Sequence, residues 1–323
     1  MIEVKQIRVV SGKGTLLDDV SFRLEKGEIL AVAGREGAGK TTLLDALTGV
    51  SEIESGSIAV CGIDMYESPS AAKSHIGYAP ADAALYPDMT GRSFLKFVGS
   101  TREIPARQVG DRAAKALSLL SVAQPDADEP IRFLPDAIKR KLNVAQALLS
   151  EPDVLVVDSN SDALDPQTVS VLRKAYREYA KEHAVLLATD NLTEAMLCAN
   201  RVLVLDEGKV VAFGTPAELS VLARRDGILH IATVGSIDAV RSALSAVEGV
   251  EILSAEDAAG ELRVTLDQKK RDLRAEIGSA LFAKGLPILE MRGEAGGLDD
   301  LLAQLRTDSR APEKEDVPND ERV

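Results

Sequence analysis

A glycine-rich segment set between an apolar run and a helical pattern constrains this chain more than anything else in it. The run EILAVAG has the length and composition of a buried strand. It opens into Gly34-Arg35-Glu36-Gly37-Ala38-Gly39-Lys40-Thr41, and the helical pattern TTLLDALTGV follows at once. Strand, glycine turn and helix make one unit of an α/β domain. The spacing also matches GxxxxGK[ST], in which glycines let backbone N–H groups turn inward around phosphates. Lys40 supplies a positive charge, the Thr41 hydroxyl can ligate Mg²⁺, and the helix start offers its positive dipole end to an anion. The candidate nucleotide-binding residues are therefore Gly34, Arg35, Glu36, Gly37, Ala38, Gly39, Lys40, Thr41 and Thr42. A glycine turn with no ligand would leave Lys40 an unexplained cation on a tight loop.

The segments VLVVD and AVLLATD are apolar with little alternation, as expected of parallel strands covered on both faces. Asp158 ends the first of them, at the strand end where open α/β sheets bind ligands, and joins Thr41 as a candidate Mg²⁺ ligand. Short strands IEVKQIRVV and SFRLEK precede the glycine loop, and the helical patterns KRKLNVAQALLS and VSVLRKAYREYAKEH separate the later strands. From about residue 230 the order reads β, α, β, β, α, β, a ferredoxin-like arrangement. The expected organisation is an α/β nucleotide domain over residues 1–225 and a βαββαβ domain over 228–305. The polar, charged stretch 306–323 is expected to be a disordered tail.

With 38 basic against 51 acidic residues the net charge is −13, which disfavours attachment to nucleic acid or anionic lipid. Cys61 and Cys198 stand in no CxxC or Cys/His spacing, so the sequence indicates neither a disulfide framework nor a zinc site, and both are expected to be buried thiols. The start, MIEVKQIRVV, is interrupted by charge, unlike a secretory leader. Apolar runs are strand-length, against roughly 20 residues for a membrane helix. The expectation is a cytosolic chain that reaches a membrane only through another chain.

Over roughly residues 2–220 the order and spacing of these motifs resemble the ATP-binding cassette (ABC) ATPases. LDDVSF leading into KGEILAVAG is similar to that family's N-terminal β-subdomain, and IGYAPADAALYPDMTGRSFLKF to its Gln-loop region entering a helical subdomain, here about residues 88–150. FLPDAIKRKLNVAQALLSEPDVLVVD resembles the signature helix running into Walker B, ALDP at 163–166 the D-loop, and LLATDNLTEAM the switch-histidine strand. The appended domain resembles the extension of ATPases serving ABC-2 exporters. The resemblance implies MgATP sandwiched head to tail between two cassettes, as homodimer or heterodimer. It also implies an integral-membrane permease partner and a peripheral position on the cytoplasmic face of the membrane.

Against that family five positions differ. The adenine-stacking aromatic is Ser11, which removes a π-platform. The Gln-loop glutamine is Ala81. The signature Ser-Gly-Gly is Pro135-Asp136-Ala137, which loses a backbone donor and brings a carboxylate toward a γ-phosphate. The glutamate after Walker B is Ser159, too weakly basic to activate water, and the switch histidine is Asp190, an acceptor where a donor is wanted. Ser159, Asp190 and Ala81 thus occupy the usual catalytic positions without the usual chemistry. The expectation is a pseudo-ATPase that keeps ATP binding. Two alternatives are an active ATPase with unusual or partner-supplied groups, and a nucleotide-responsive interaction protein without transport.

Overall fold

The computed structural model describes residues 1–12, 14–159, 164–222, 228–258, 261–267, 273–293 and 298–308. They form two compact units, Met1–Leu219 and Ser220–Val323.

The first unit is built on a six-stranded sheet. Its spatial order is Lys209–Gly214, Arg201–Asp206, Ile29–Ala33, Ala184–Thr189, Val154–Asp158 and Ile76–Ala79. All neighbours are parallel except the first pair, an antiparallel hairpin. Every residue of the three central strands is buried, which is why their sequences lack alternation. Alternate residues feed different cores. Leu155, Val157, Val185 and Leu187 pack with the helices Gly91–Thr101, Ala106–Leu119, Asp136–Leu148 and Pro166–Ala180. Val154, Val156, Leu186 and Ala188 pack with the helix Lys40–Leu47 and with a four-stranded antiparallel sheet.

That smaller sheet pairs Ile2–Ser11 with Gly14–Leu24 on one side and Ser55–Val60 on the other, and Ser55–Val60 with Ile63–Asp64. Its second strand starts at Gly14, well before the SFRLEK segment that the sequence suggests. The acidic pair Asp18-Asp19 masks the alternation, because Asp19 takes a left-handed φ of 54° at a register shift and Val20 beyond it faces inward again. Cys198 is buried as expected. Cys61 is only partly buried, a correction that follows from its place in the turn between Ser55–Val60 and Ile63–Asp64.

The second unit has a four-stranded antiparallel sheet in the order Glu251–Ala258, Glu261–Asp267, Ile228–Thr233, Ile288–Gly293. Helices Ile237–Leu244 and Arg274–Ala283 supply Val240, Leu244, Ile277 and Leu281 to a core with Leu229, Ile231, Val264 and Leu266. The βαββαβ order and this strand order are those of a ferredoxin-like unit. A further helix, Leu298–Asp308, takes in Arg306, Thr307 and Asp308, where the sequence suggested the tail had begun. The rest of that tail, 309–323, lies outside the described residues, as do 160–163 with the first residue of ALDP and 223–227 around the expected domain boundary.

Candidate nucleotide-binding site

Parallel strands deliver the candidate residues to one place. The register sets Ala33 beside Thr189, Asp158 beside Ala188 and Ala79 beside Val157. The glycine loop, Ser159, Asp190 and Pro80-Ala81 therefore all leave the same C-terminal edge of the sheet, where such sheets bind ligands.

The glycine loop is shaped as the motif requires. Gly37 and Gly39 have φ of 79° and 104°, a region side chains other than glycine rarely adopt. A side chain at Gly39 would also meet Leu17 Cδ2 at 2.9 Å and the Leu16 carbonyl oxygen at 3.1 Å. Gly39 caps the helix Lys40–Leu47 without a side-chain hydrogen bond, leaving the first-turn N–H groups for an anion. Lys40 Nζ folds back on the loop, donating to the carbonyl oxygens of Gly34 (2.6 Å) and Arg35 (2.9 Å). Burial pulls the Lys40 ammonium pKa below its ordinary value, against the opposing charges of Asp190, Asp158 and Glu36.

Asp158 is buried, and that burial raises its pKa, opposed by the charges of Arg140 and Lys40 and by a hydrogen bond from Thr41. A carboxylate and a hydroxyl already in contact at the end of a buried strand are a hard-oxygen donor set suited to Mg²⁺. Ser159 is buried, its N–H donating to the Ala188 carbonyl oxygen at 2.7 Å. Asp190 is half-buried beside Lys40, and its Oδ1 is enclosed with no hydrogen-bond partner among the described residues. An enclosed carboxylate oxygen with no donor is uncommon, because it forfeits solvation without recompense.

Of the remaining candidates, Ala81 leaves this same edge but is exposed, and Ser11, also exposed, closes the first hairpin opposite Gly14. Pro135 precedes the helix Asp136–Leu148, and the Asp136 side chain, 90% exposed, pairs with Lys139 at 3.1 Å rather than with Lys40. One contributor escaped the sequence reading. Arg140 donates to the Asp158 carbonyl oxygen and to the Pro80 carbonyl oxygen (3.1 Å), and Asn143 Nδ2 reaches the same Pro80 oxygen at 2.6 Å. These bonds fasten the helix that begins at Asp136 to both strand ends. In sequence Arg140 is the middle one of three consecutive cations, Lys139-Arg140-Lys141, and nothing local singles it out.

The chain matches the family model described as "ABC transporter" over residues 17–161. It is 32% identical over 219 residues to the Nod factor export ATP-binding protein I of Paraburkholderia xenovorans, covering 68% of this chain and 72% of that protein. The linearmycin resistance ATP-binding protein LnrL of Bacillus subtilis is 25% identical over 307 residues, 94% of this chain and 98% of its own length. Among solved structures, cbiO1 of Clostridium perfringens, part of the ABC transporter complex cbiONQ, superposes with a TM-score of 0.62 at 22% identity, over 76% of this chain and 95% of that one. ATP with Mg²⁺ is the cofactor of this family, and the loop, Lys40, Thr41 and Asp158 fit it. The chain belongs to the ABC transporter ATP-binding proteins.

Proposed function

We propose that this chain binds MgATP at a head-to-tail interface with a second cassette and regulates or drives a membrane permease, with hydrolysis weak or lost. The observation that carries the reading is an intact phosphate cradle beside a reaction centre without its usual base. Glycine-loop N–H groups and Lys40 would hold the β- and γ-phosphates, and Thr41 and Asp158 the Mg²⁺. Bound Mg²⁺ would neutralise phosphate charge. Ser159 cannot take a proton from water, Ala81 cannot orient it, and Asp190 repels a γ-phosphate. Export is the activity for which the Nod factor relative is named, and a transport role for this chain rests on that likeness. A cleft of about 480 Å³ lined by Thr48, Val50, Lys73, Tyr78, Arg102 and Ser150, with Val50 71% exposed, supports a protein contact such as the permease would make.

A second reading has one observation behind it. The enclosed Asp190 Oδ1 without a donor is a carboxylate that an active enzyme would use as its base in place of Ser159. The two readings separate in one experiment. ATP affinity and steady-state phosphate release are measured for the wild type, Lys40→Ala, Asp190→Asn, Ser159→Glu, and a combined variant with Ala81→Gln, Ser159→Glu, Asp190→His and a Ser-Gly-Gly signature. We expect Lys40→Ala to abolish binding. The wild type should bind ATP yet release negligible phosphate, and Ser159→Glu alone should not restore turnover, since groups acting as a unit do not repair singly. Wild-type turnover near about 1 s⁻¹, lost in Asp190→Asn, would establish the second reading.

A further inference from the structure

Cys61, His75 and Asp153 are far apart in sequence and in no recognisable metal-ligand spacing, yet the fold gathers them. One ligand atom from each lies within 4.8 Å of the other two. Their backbones are fixed independently of any ion. The Cys61 N–H donates to the Met1 carbonyl oxygen at 2.6 Å, the Val154 N–H to the His75 carbonyl oxygen at 3.0 Å, and the Ala184 N–H to the Asp153 carbonyl oxygen at 3.0 Å. His75 ends the helix Pro69–Ser74, and its Nδ1 meets Asp153 Oδ2 at 2.6 Å. Cys61 holds a left-handed φ of 52° in a turn followed by Gly62, a position that asparagine, aspartate or glycine fills at less cost.

We propose that Cys61 Sγ, the His75 imidazole and the Asp153 carboxylate form a binding site for one divalent transition metal ion of the Zn²⁺ class. Sulfur, nitrogen and oxygen together are a donor set for zinc, whereas Mg²⁺ takes oxygen alone. Ligand atoms on a common tetrahedral Zn²⁺ sit roughly 3.3–3.8 Å apart, given bond lengths of about 2.0–2.3 Å. Side chains already within 4.8 Å reach that geometry by rotation, for which the 32% and 45% exposure of His75 and Asp153 leaves room. The ion takes the place of the proton between Nδ1 and Oδ2, which passes through solvent to Nε2 so that the imidazole stays neutral; the Cys61 thiol proton leaves to solvent, and water completes the coordination. Asp153 precedes the strand that Asp158 ends, so the site lies about 16 Å of strand away from the Mg²⁺ candidates, at roughly 3.3 Å per residue. Its effect is structural. Cys61 lies in the turn between two strands of the small antiparallel sheet, and Asp153 leads into the central parallel one, so the ion ties the two sheets together.

The test uses full-length reduced protein and Co²⁺ alone, followed by Zn²⁺. We expect one Co²⁺ per chain with a thiolate-to-cobalt charge-transfer band that Zn²⁺ displaces, and a melting temperature raised by Zn²⁺. Cys61→Ser should lose the band, while His75→Gln and Asp153→Asn should weaken Co²⁺ binding about tenfold or more. Cys198→Ser should leave both unchanged. Co²⁺ at Thr41 and Asp158 gives no thiolate band, so the nucleotide site cannot imitate this signal. Absence of the band in the wild type, its survival in Cys61→Ser, or its loss in Cys198→Ser would overturn the proposal. If Cys61→Ser fails to fold, the two partly exposed variants decide: unchanged Co²⁺ affinity in both overturns the site.

Discussion

Asp158 holds a carboxylate that is largely withdrawn from water, and burial raises its pKa above the ordinary 3.8. A carboxyl whose folded pKa is raised contributes its stability fully below the unfolded value, and that contribution is lost as pH rises through the folded one. At neutral pH the ion-free carboxylate is therefore a net cost to the fold. Asp158→Asn is expected to raise the melting temperature of nucleotide-free protein at neutral pH, the gain fading as pH falls toward 3.8. The same variant should weaken the Mg²⁺ dependence of ATP affinity. Melting curves across pH, with ATP titrations in the presence and absence of Mg²⁺, check both; equal neutral-pH melting temperatures would remove the burial argument. Residues such as Lys40, Thr41 and Asp158 were legible in sequence because their chemistry is tied to a contiguous motif and a strand end. Arg140 and the Cys61, His75 and Asp153 trio were not, because separations of 14 to 92 residues are closed only by the fold and leave no local periodicity.

At the scale of elements, the short edge strand Ile76–Ala79 holds the helix Asp136–Leu148 at a close approach that only glycine permits. A Cβ on Gly77 would overlap the Ala147 carbonyl oxygen and stand 2.6 Å from Pro152 Cγ. Gly77→Ala must push helix and strand apart, and is expected to destabilise the protein by about 1–3 kcal/mol, as overpacking does. Chemical denaturation measures it. A change within about 0.5 kcal/mol, the scale of neutral surface substitutions, would mean that the helix yields freely. Long apolar strands were readable here because burial on both faces writes a continuous run. Four residues of edge strand carry too little pattern, and the second strand of the small sheet was cut short by its Asp18-Asp19 bulge. The C-terminal βαββαβ order was legible because Ile228–Thr233 and Glu261–Asp267 each set apolar residues on one face against helices of matching pattern.

The whole molecule carries a net charge of −13, and no helix among its described residues is long and apolar enough to cross a membrane. Anionic lipid offers such a surface repulsion rather than attraction. In sedimentation with protein-free anionic vesicles the chain should stay in the supernatant at low and physiological salt, and strong co-sedimentation would contradict a permease-dependent attachment.

The central sheet of the first unit also acts as a wall. Val156 looks toward the helix behind the glycine loop, Val157 toward the helix that starts at Asp136, and the two valines share no core although they are bonded neighbours. The side chains on the two sides of the sheet thus pack in separate compartments. The helical side carries Pro135-Asp136-Ala137 at the start of its leading helix, and the opposite side carries the glycine loop with Lys40. If hydrolysis is lost as proposed, the loss need not disturb the packing behind the loop that would hold the nucleotide.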